Sequence, residues 1–117
     1  MIYYIYKDKL NRLLRKSGYT LEDLPKLFPG YHPLVDVEPF FSKSGPTRDN
    51  FLVGYICDAF DCAPPAFTKY KREPFDEAYN ISYEKLTEMR NSPLDYDESH
   101  YVDWSASWRN VIDFNDE

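Results

Sequence analysis

Ser99, His100 and Asp103 have the side-chain types of a nucleophile, a general base and its orienting acid, and they lie close together in the chain. A hydrolytic serine of this kind needs a sharp, glycine-flanked turn that exposes its hydroxyl, and N–H groups that stabilise the oxyanion. The residues around Ser99 provide neither motif. We therefore interpret the three residues as part of a solvated loop and predict that the chain is not an enzyme.

Asp95, Asp97 and Glu98 could supply carboxylate oxygens to a metal ion. A calcium-binding loop also needs a glycine for its turn and further carboxylates at fixed spacing, and this stretch lacks both. The chain has four glycines and neither a GxGxxG sequence nor a P-loop, the motifs that hold dinucleotides and nucleotide phosphates. The sequence therefore predicts no metal and no cofactor.

Cys57 and Cys62 are the only cysteines of the chain. A zinc site uses more closely spaced cysteine pairs with additional ligands, and His32 and His100 are not spaced to supply them. The two cysteines are interpreted as reduced thiols that act as small apolar side chains.

The charge is distributed unevenly along the chain, whose net charge is −6. Residues 1–72 contain 11 Lys and Arg against 8 Asp and Glu, whereas residues 73–117 contain 3 against 12. This asymmetry predicts two parts with different roles: a helical domain over residues 1–72, and an acidic, Tyr- and Trp-containing segment over residues 73–117 that docks on it. No apolar run approaches the roughly 20 residues of a membrane span, so we expect a soluble, cytoplasmic protein.

The acidic segment carries the candidate partner-binding residues. Its carboxylates would attract a basic partner surface, and the acidic candidates are Asp95, Asp97, Glu98, Asp103, Asp113, Asp116 and Glu117. Aromatic side chains are common at protein interfaces, and the aromatic candidates are Tyr96, Tyr101, Trp104 and Trp108. The spacing of Trp104, Trp108, Val111 and Ile112 predicts a last amphipathic helix, whose tryptophans either dock on the domain or contact the partner.

The strongest helical pattern lies near the start of the chain. Tyr6, Leu10, Leu13 and Leu14 repeat at helical spacing, and Gly18 can adopt the positive φ that ends a helix. The residues before this helix either extend it or form a short strand. Thr20 is predicted to cap a second helix over about residues 20–28, with Asp23 completing a capping box.

Together these residues resemble the first two helices of the Cro/C1-repressor (XRE-type) helix-turn-helix family. The resemblance extends over roughly residues 6–67: residues 33–42 match the recognition helix, residues 42–47 the following loop with Thr47 as N-cap, residues 48–60 the fourth helix, and residues 61–67 a turn and short fifth helix. It implies a mainly α fold, a compact helix-turn-helix bundle of four to five helices with an acidic, partly helical C-terminal extension. Leu13, Leu24, Phe51, Ile56 and Phe60 are expected to share its core, and Ser82–Arg90 to form a further short helix.

The resemblance also implies DNA binding through the third helix, whose early side chains read base edges in this family. Here those positions hold Asp36 and Glu38, which phosphates repel, and Pro39 would interrupt the helix. The candidates for phosphate contacts are Lys7, Arg12, Lys43 and Arg48. A second basic cluster, Lys69, Lys71 and Arg72, could instead pair with the acidic segment behind it.

Two interpretations follow. In the first, the chain is a non-enzymatic inhibitor or modulator that resembles small acidic phage proteins of the anti-CRISPR kind and mimics DNA towards a protein partner with a basic nucleic-acid groove, such as a CRISPR effector. In the alternative, it is a DNA-binding transcriptional repressor of the Cro/C1 type, with a homodimer as its implied assembly.

Overall fold

The chain folds into a mixed α/β structure, and the expectation of a mainly α bundle is wrong. The computed structural model describes residues 1–29, 37–73, 76 and 80–104. In chain order these residues form the elements β1 (Ile2–Ile5), α1 (Lys7–Lys16), α2 (Leu24–Leu27), α3 (Glu38–Ser42), β2 (Gly45–Thr47), α4 (Asn50–Phe60), β3 (Thr68–Lys71) and α5 (Tyr83–Arg90). Short 3-10 turns lie at Leu21–Asp23, Pro64–Ala66 and Glu98–His100.

The three strands form an antiparallel sheet in the order β2-β1-β3. Tyr3 pairs with Thr47 on one side and with Tyr70 on the other. β1 is rich in isoleucine and tyrosine, which fit a pleated, half-buried strand, and this settles the open choice between strand and helix before α1. The strand is central because both of its edges find partners far away in the sequence.

Neither outer strand was predicted, for a physical reason in each case. β2 has three residues, and its Gly45 and Pro46 indicate a loop when they are considered alone. Proline lacks an N–H donor and is tolerated on an edge strand, which is where the sheet places Pro46. β3 is a four-residue strand with alternating lysines, so its sequence looked like a basic cluster at a domain boundary.

The turn after α1 forms as predicted, but the second helix is shorter than the family pattern requires. Gly18 has φ 81°, and the Thr20 N–H donates to the Asp23 carboxylate at 2.8 Å in a capping box. A 3-10 turn follows, and α2 then has four residues. Pro25 lies in the first turn of α2, where its missing N–H has no intrahelical partner to lose.

α3 covers only part of the segment matched to a recognition helix. α3 runs from Glu38 to Ser42 with Pro39 in its first turn, and residues 33–36 of the matched segment lie outside the described residues. Asp36 lies outside the described residues. The following loop contains β2, and Thr47 therefore belongs to a strand; the N-cap of α4 is Asp49, which accepts a hydrogen bond from the Leu52 N–H at 2.9 Å.

α4 forms close to its predicted position, but its buried face is shifted by one residue. Its buried residues are Leu52, Val53, Ile56, Cys57 and Phe60. Phe51, which we expected in the core, is 78% exposed, and the expectation is wrong for this residue. Leu24, Ile56 and Phe60 are buried in one core as predicted, and Leu13 is partly buried against it.

α5 confirms the predicted helix after Ser82. The Ser82 hydroxyl accepts a hydrogen bond from the Lys85 N–H at 3.2 Å and caps the helix. No residue of α5 is buried. Hydrogen bonds from the rest of the molecule reach its carboxyl end, where Arg48 donates to the carbonyls of Arg90 and Ser92.

Candidate protein-binding surface

The stretch from residue 94 to residue 104 lies against the sheet, and Asp95 forms its polar anchor. The Lys71 ammonium of β3 donates to the Asp95 carboxylate at 2.6 Å, and His100 Nδ1 lies 2.6 Å from the same oxygen. The Lys71 hydrogen bond, helped by the Asp97 N–H and by His100, holds the pKa of Asp95 well below its ordinary value. Asp95 is therefore engaged within the molecule. Its pairing with Lys71 confirms that part of the second basic cluster serves the acidic segment.

Tyr101 and Val102 extend the contact along the outer strand. Tyr101 is buried, its ring lies 5.4 Å from that of Tyr4, and its hydroxyl donates to the Asp95 carbonyl. Val102 and Tyr70 exchange two backbone hydrogen bonds, of 2.7 and 3.2 Å, so the segment adds a bridge to the edge of β3. Covering a sheet edge in this way removes a site for unwanted strand pairing.

Trp104 is the apolar anchor of the same stretch. Its ring centroid lies 4.7 Å from that of Tyr70 and 5.8 Å from that of Tyr3. The indole N–H donates to the Thr68 carbonyl at 3.3 Å, which satisfies the polar group of a partly buried tryptophan. Trp104 therefore docks on the domain, which is one of the two roles that the sequence left open for the tryptophans. The rest of the predicted last helix after Trp104 lies outside the described residues, as do Trp108, Asp113, Asp116 and Glu117.

The remaining candidates of this stretch stay exposed. Tyr96 is 68% exposed, the Asp97 side chain is 55% exposed, and Glu98 and Asp103 are exposed. We call Tyr96, Asp97, Glu98 and Asp103 the 96–103 surface. It combines one accessible aromatic ring with three carboxylates on a segment that Asp95, Tyr101 and Trp104 hold in place.

Asp97 shapes this surface locally. Its carboxylate accepts hydrogen bonds from the Ser99 hydroxyl at 2.6 Å and from the Ser99 N–H at 3.0 Å, capping the 3-10 turn. These bonds lower the pKa of Asp97. Because the Ser99 hydroxyl binds Asp97 while His100 Nδ1 faces Asp95, Ser99, His100 and Asp103 do not form a hydrogen-bonded relay.

Tyr6 lies near both the carboxylates of the 96–103 surface and two lysine side chains. Burial raises the pKa of the Tyr6 phenol, and the nearby Glu98 and Asp103 carboxylates act in the same direction. The Lys9 and Lys69 ammonium groups lie 5.1 and 5.7 Å from the centre of its ring, within the range of a cation–π contact. Positive charge thus lies beside the acidic surface and offsets part of its field.

The four candidates for phosphate contacts are in different situations. Lys7 and Lys43 are exposed, and the Lys7 N–H donates to the hydroxyl of Ser44, the residue that follows Lys43, at 2.9 Å. Arg12 is partly buried and has an interaction within the chain. The Arg48 guanidinium forms hydrogen bonds within the chain, to Glu73 and to two backbone carbonyls.

Arg48 joins the start of α4 to the end of α5. Its guanidinium binds the Glu73 carboxylate through Nε and Nη2 at 2.7 to 3.1 Å. Nη1 donates to the carbonyls of Arg90 and Ser92 at 3.0 and 2.7 Å. Glu73 also lies 3.5 Å from the Met1 amino group. The sequence shows Glu73 only as the first residue of the acidic segment, because its local spacing does not indicate a partner 25 residues away.

Comparison of the chain with known proteins gives no match among protein-family models, curated proteins or solved structures. Among residues 1–29, 37–73, 76 and 80–104, no helix is long and apolar enough to cross a membrane. Within those same ranges, no three His, Cys, Asp or Glu side chains are grouped so that they could hold a metal ion.

Proposed function

We propose that the chain is a non-enzymatic binding protein that acts in the cytoplasm, where it inhibits or modulates a macromolecular partner through the 96–103 surface. One observation carries this proposal. Three residues of the acidic segment are anchored on the sheet, while Tyr96, Asp97, Glu98 and Asp103 between and beside them remain accessible.

The anchoring supports binding because it orders the acidic groups before any partner arrives. A preorganised surface loses less conformational entropy on association than a flexible acidic tail does. Tyr96 offers a large amphipathic contact area, and tyrosine is enriched at interfaces. The carboxylates supply the charge that steers a basic partner.

The partner class that fits this charge is a protein with a basic nucleic-acid groove. Carboxylates that take the place of phosphates would make the chain a DNA mimic, and small acidic phage proteins of the anti-CRISPR kind remain the group it resembles in size and charge. A CRISPR effector is one partner of this class. The alternative of a Cro/C1-type repressor would use the exposed pair Lys7 and Lys43, but without Arg48, whose guanidinium is occupied by Glu73 and two carbonyls.

A pull-down from native lysate, with and without nuclease, tests the proposal with matched variants. Tyr96→Ala/Glu98→Lys removes an exposed ring and reverses one charge on the 96–103 surface. Tyr83→Ala/Glu84→Lys makes the same two changes on α5, where Tyr83 is 81% exposed and Glu84 is exposed. We expect the wild type and the α5 variant to retain the partner after nuclease treatment, and the 96–103 variant to lose it.

Salt and duplex binding complete the test. Partner binding should weaken as salt rises above physiological strength, because exposed charges are screened over about 8 Å. If both double variants retain the partner equally, the 96–103 surface is not the binding site. Enrichment of a palindromic site from a random duplex library, at nanomolar affinity, would favour the repressor instead.

A further inference from the structure

The backbone conformation at the carboxyl end of α4 places Cys62 beside the last turn of the helix, which contains Cys57. Asp61 has a left-handed conformation with φ 51°, and the Cys62 N–H donates to the Cys57 carbonyl at 3.0 Å. In this arrangement, the Schellman motif, the side chain just beyond the left-handed residue packs back on the last turn of the helix. The backbone therefore brings the side chain of Cys62 towards that of Cys57.

The environments of the two thiols differ. Cys57 is buried in the core, whereas Cys62 is partly exposed. The neighbouring Cys57 thiol lowers the pKa of Cys62, against the opposing effects of burial and of the Asp61 carboxylate. The same pairing, together with burial and the charge of Asp58, raises the pKa of Cys57. Cys62 is thus the more exposed of the two cysteines and the one whose pKa is lowered, whereas Cys57 is buried and its pKa is raised.

We propose that Cys57 and Cys62 form a redox-active dithiol that reacts with hydroperoxides. The Cys62 thiolate attacks the terminal peroxide oxygen, the O–O bond breaks, and Cys62 becomes a sulfenic acid. The other oxygen leaves as hydroxide from hydrogen peroxide, or as alkoxide from an organic hydroperoxide. The base released in this step takes the proton of Cys57, and the Cys57 thiolate attacks the Cys62 sulfur. The S–O bond then breaks, and the sulfenic oxygen leaves as hydroxide while the disulfide forms. The peroxide is reduced and the two thiols are oxidised, with no other reactant.

This site is separate from the 96–103 surface and extends the sequence-based interpretation of the two cysteines as small apolar side chains. An apolar role needs neither an accessible sulfur nor a second thiol beside it. Accessibility and thiolate character are the properties that distinguish oxidation-sensitive cysteines, which often lie next to a resolving thiol. A partner-binding test can therefore fail without affecting this proposal, and the reverse is also true.

The test uses the reduced full chain treated with hydrogen peroxide and analysed by intact mass and by peptide mapping. The wild type should lose about 2 Da, the mass of two hydrogens, with the linkage mapped between Cys57 and Cys62. In Cys57→Ala no resolving thiol remains, so dimedone should trap a sulfenic acid at Cys62. In Cys62→Ala the buried Cys57 should react at least about tenfold more slowly, because its thiolate is disfavoured.

Two results obtained without denaturant would overturn the proposal. One is a wild-type chain that keeps both thiols, or becomes over-oxidised at either cysteine, under conditions in which dimedone labels Cys57→Ala. The other is equal reactivity of the two single variants. Since either alanine variant could unfold, the wild-type experiment is repeated in urea: the intramolecular disulfide should form faster in the folded chain, and equal rates in the two states would also reject the proposal.

Discussion

Replacing Arg48 by methionine should destabilise the protein far more than a surface substitution does. Arg48 has a side-chain exposure of 19% and Glu73 of 9%, so both charges of the pair are largely removed from water. Methionine fills a similar length but leaves the Glu73 carboxylate without its main partner. It also leaves the carbonyls of Arg90 and Ser92, at the end of α5, without their donor.

The size of the effect follows from these contacts. Breaking a buried ion pair by removing one partner costs about 3–5 kcal/mol. Here the Met1 amino group, 3.5 Å from Glu73, remains as a weaker partner, and the pair is partly exposed, so we expect the lower end, about 3 kcal/mol. For a domain of this size that loss lowers the melting temperature by roughly 10 °C. A loss of about 3 kcal/mol is a large fraction of the free energy of unfolding of a typical domain, about 5–15 kcal/mol.

Urea unfolding followed by tryptophan fluorescence measures the loss. Arg15→Met is the matched control, because Arg15 is exposed on α1 and its replacement should change the free energy of unfolding by no more than about 0.5 kcal/mol. The double variant with Glu73→Gln should recover part of the loss, since it removes the unpaired charge. If Arg48→Met costs less than about 1 kcal/mol, our account of Arg48 as an internal clamp is wrong, and a role in phosphate contacts becomes more plausible.

Phe51→Ala should change the free energy of unfolding by less than about 1 kcal/mol. Ile56→Ala on the same helix should cost about 2–5 kcal/mol, because Ile56 is fully buried and Phe51 is exposed. Equal losses in urea unfolding would reject the observed orientation of α4. The folded-state pKa of Asp95 is lowered, so its stabilising contribution is present above its unfolded pKa near 4 and is lost as the pH falls further. Acid unfolding of Asp95→Asn should accordingly show a weaker pH dependence below about pH 4 than the wild type, and identical profiles would contradict this. The phenols of Tyr6 and Tyr101 have raised pKa values, chiefly through burial, so the folded state favours their neutral forms and loses stability as the pH rises above about 10. Absorbance at the tyrosinate band should show these two phenols ionising only with unfolding, and their reversible ionisation at ordinary alkaline pH in the folded chain would refute the burial argument.

Local sequence signals were sufficient where an element is defined by its own residues. Gly18 ends α1, Thr20 and Asp23 form the capping box, and Ser82 caps α5, because each of these interactions joins residues a few positions apart. The same locality explains the error on α4. The pattern of apolar residues fits two faces that differ by one position, and only packing selects the face with Val53 and Cys57 over the face with Phe51 and Tyr55.

For the candidate binding residues, too, the sequence indicated the segment, and the tertiary structure showed which of its residues are anchored and which are exposed. The sequence identified the acidic segment and its aromatic residues from charge and composition, which need no knowledge of the fold. It could not separate Asp95, Tyr101 and Trp104, which anchor the segment, from Tyr96 and the other residues of the 96–103 surface. That distinction depends on contacts with β1 and β3, which come from the other half of the chain.

The sequence by itself determined the approximate positions of α1, α4 and α5, the turn at Gly18 and the Ser82 cap, the buried residues Leu24, Ile56 and Phe60, and the uneven distribution of charge. These properties depend on side-chain type and on spacing along a few turns of the chain. The tertiary structure decided the sheet, the binding of Arg48 to Glu73 and the pairing of Lys71 with Asp95, each of which joins residues more than 20 positions apart. Short strands and single ion pairs carry almost no local signal, because their stability comes from partners that only the complete fold brings within hydrogen-bonding distance.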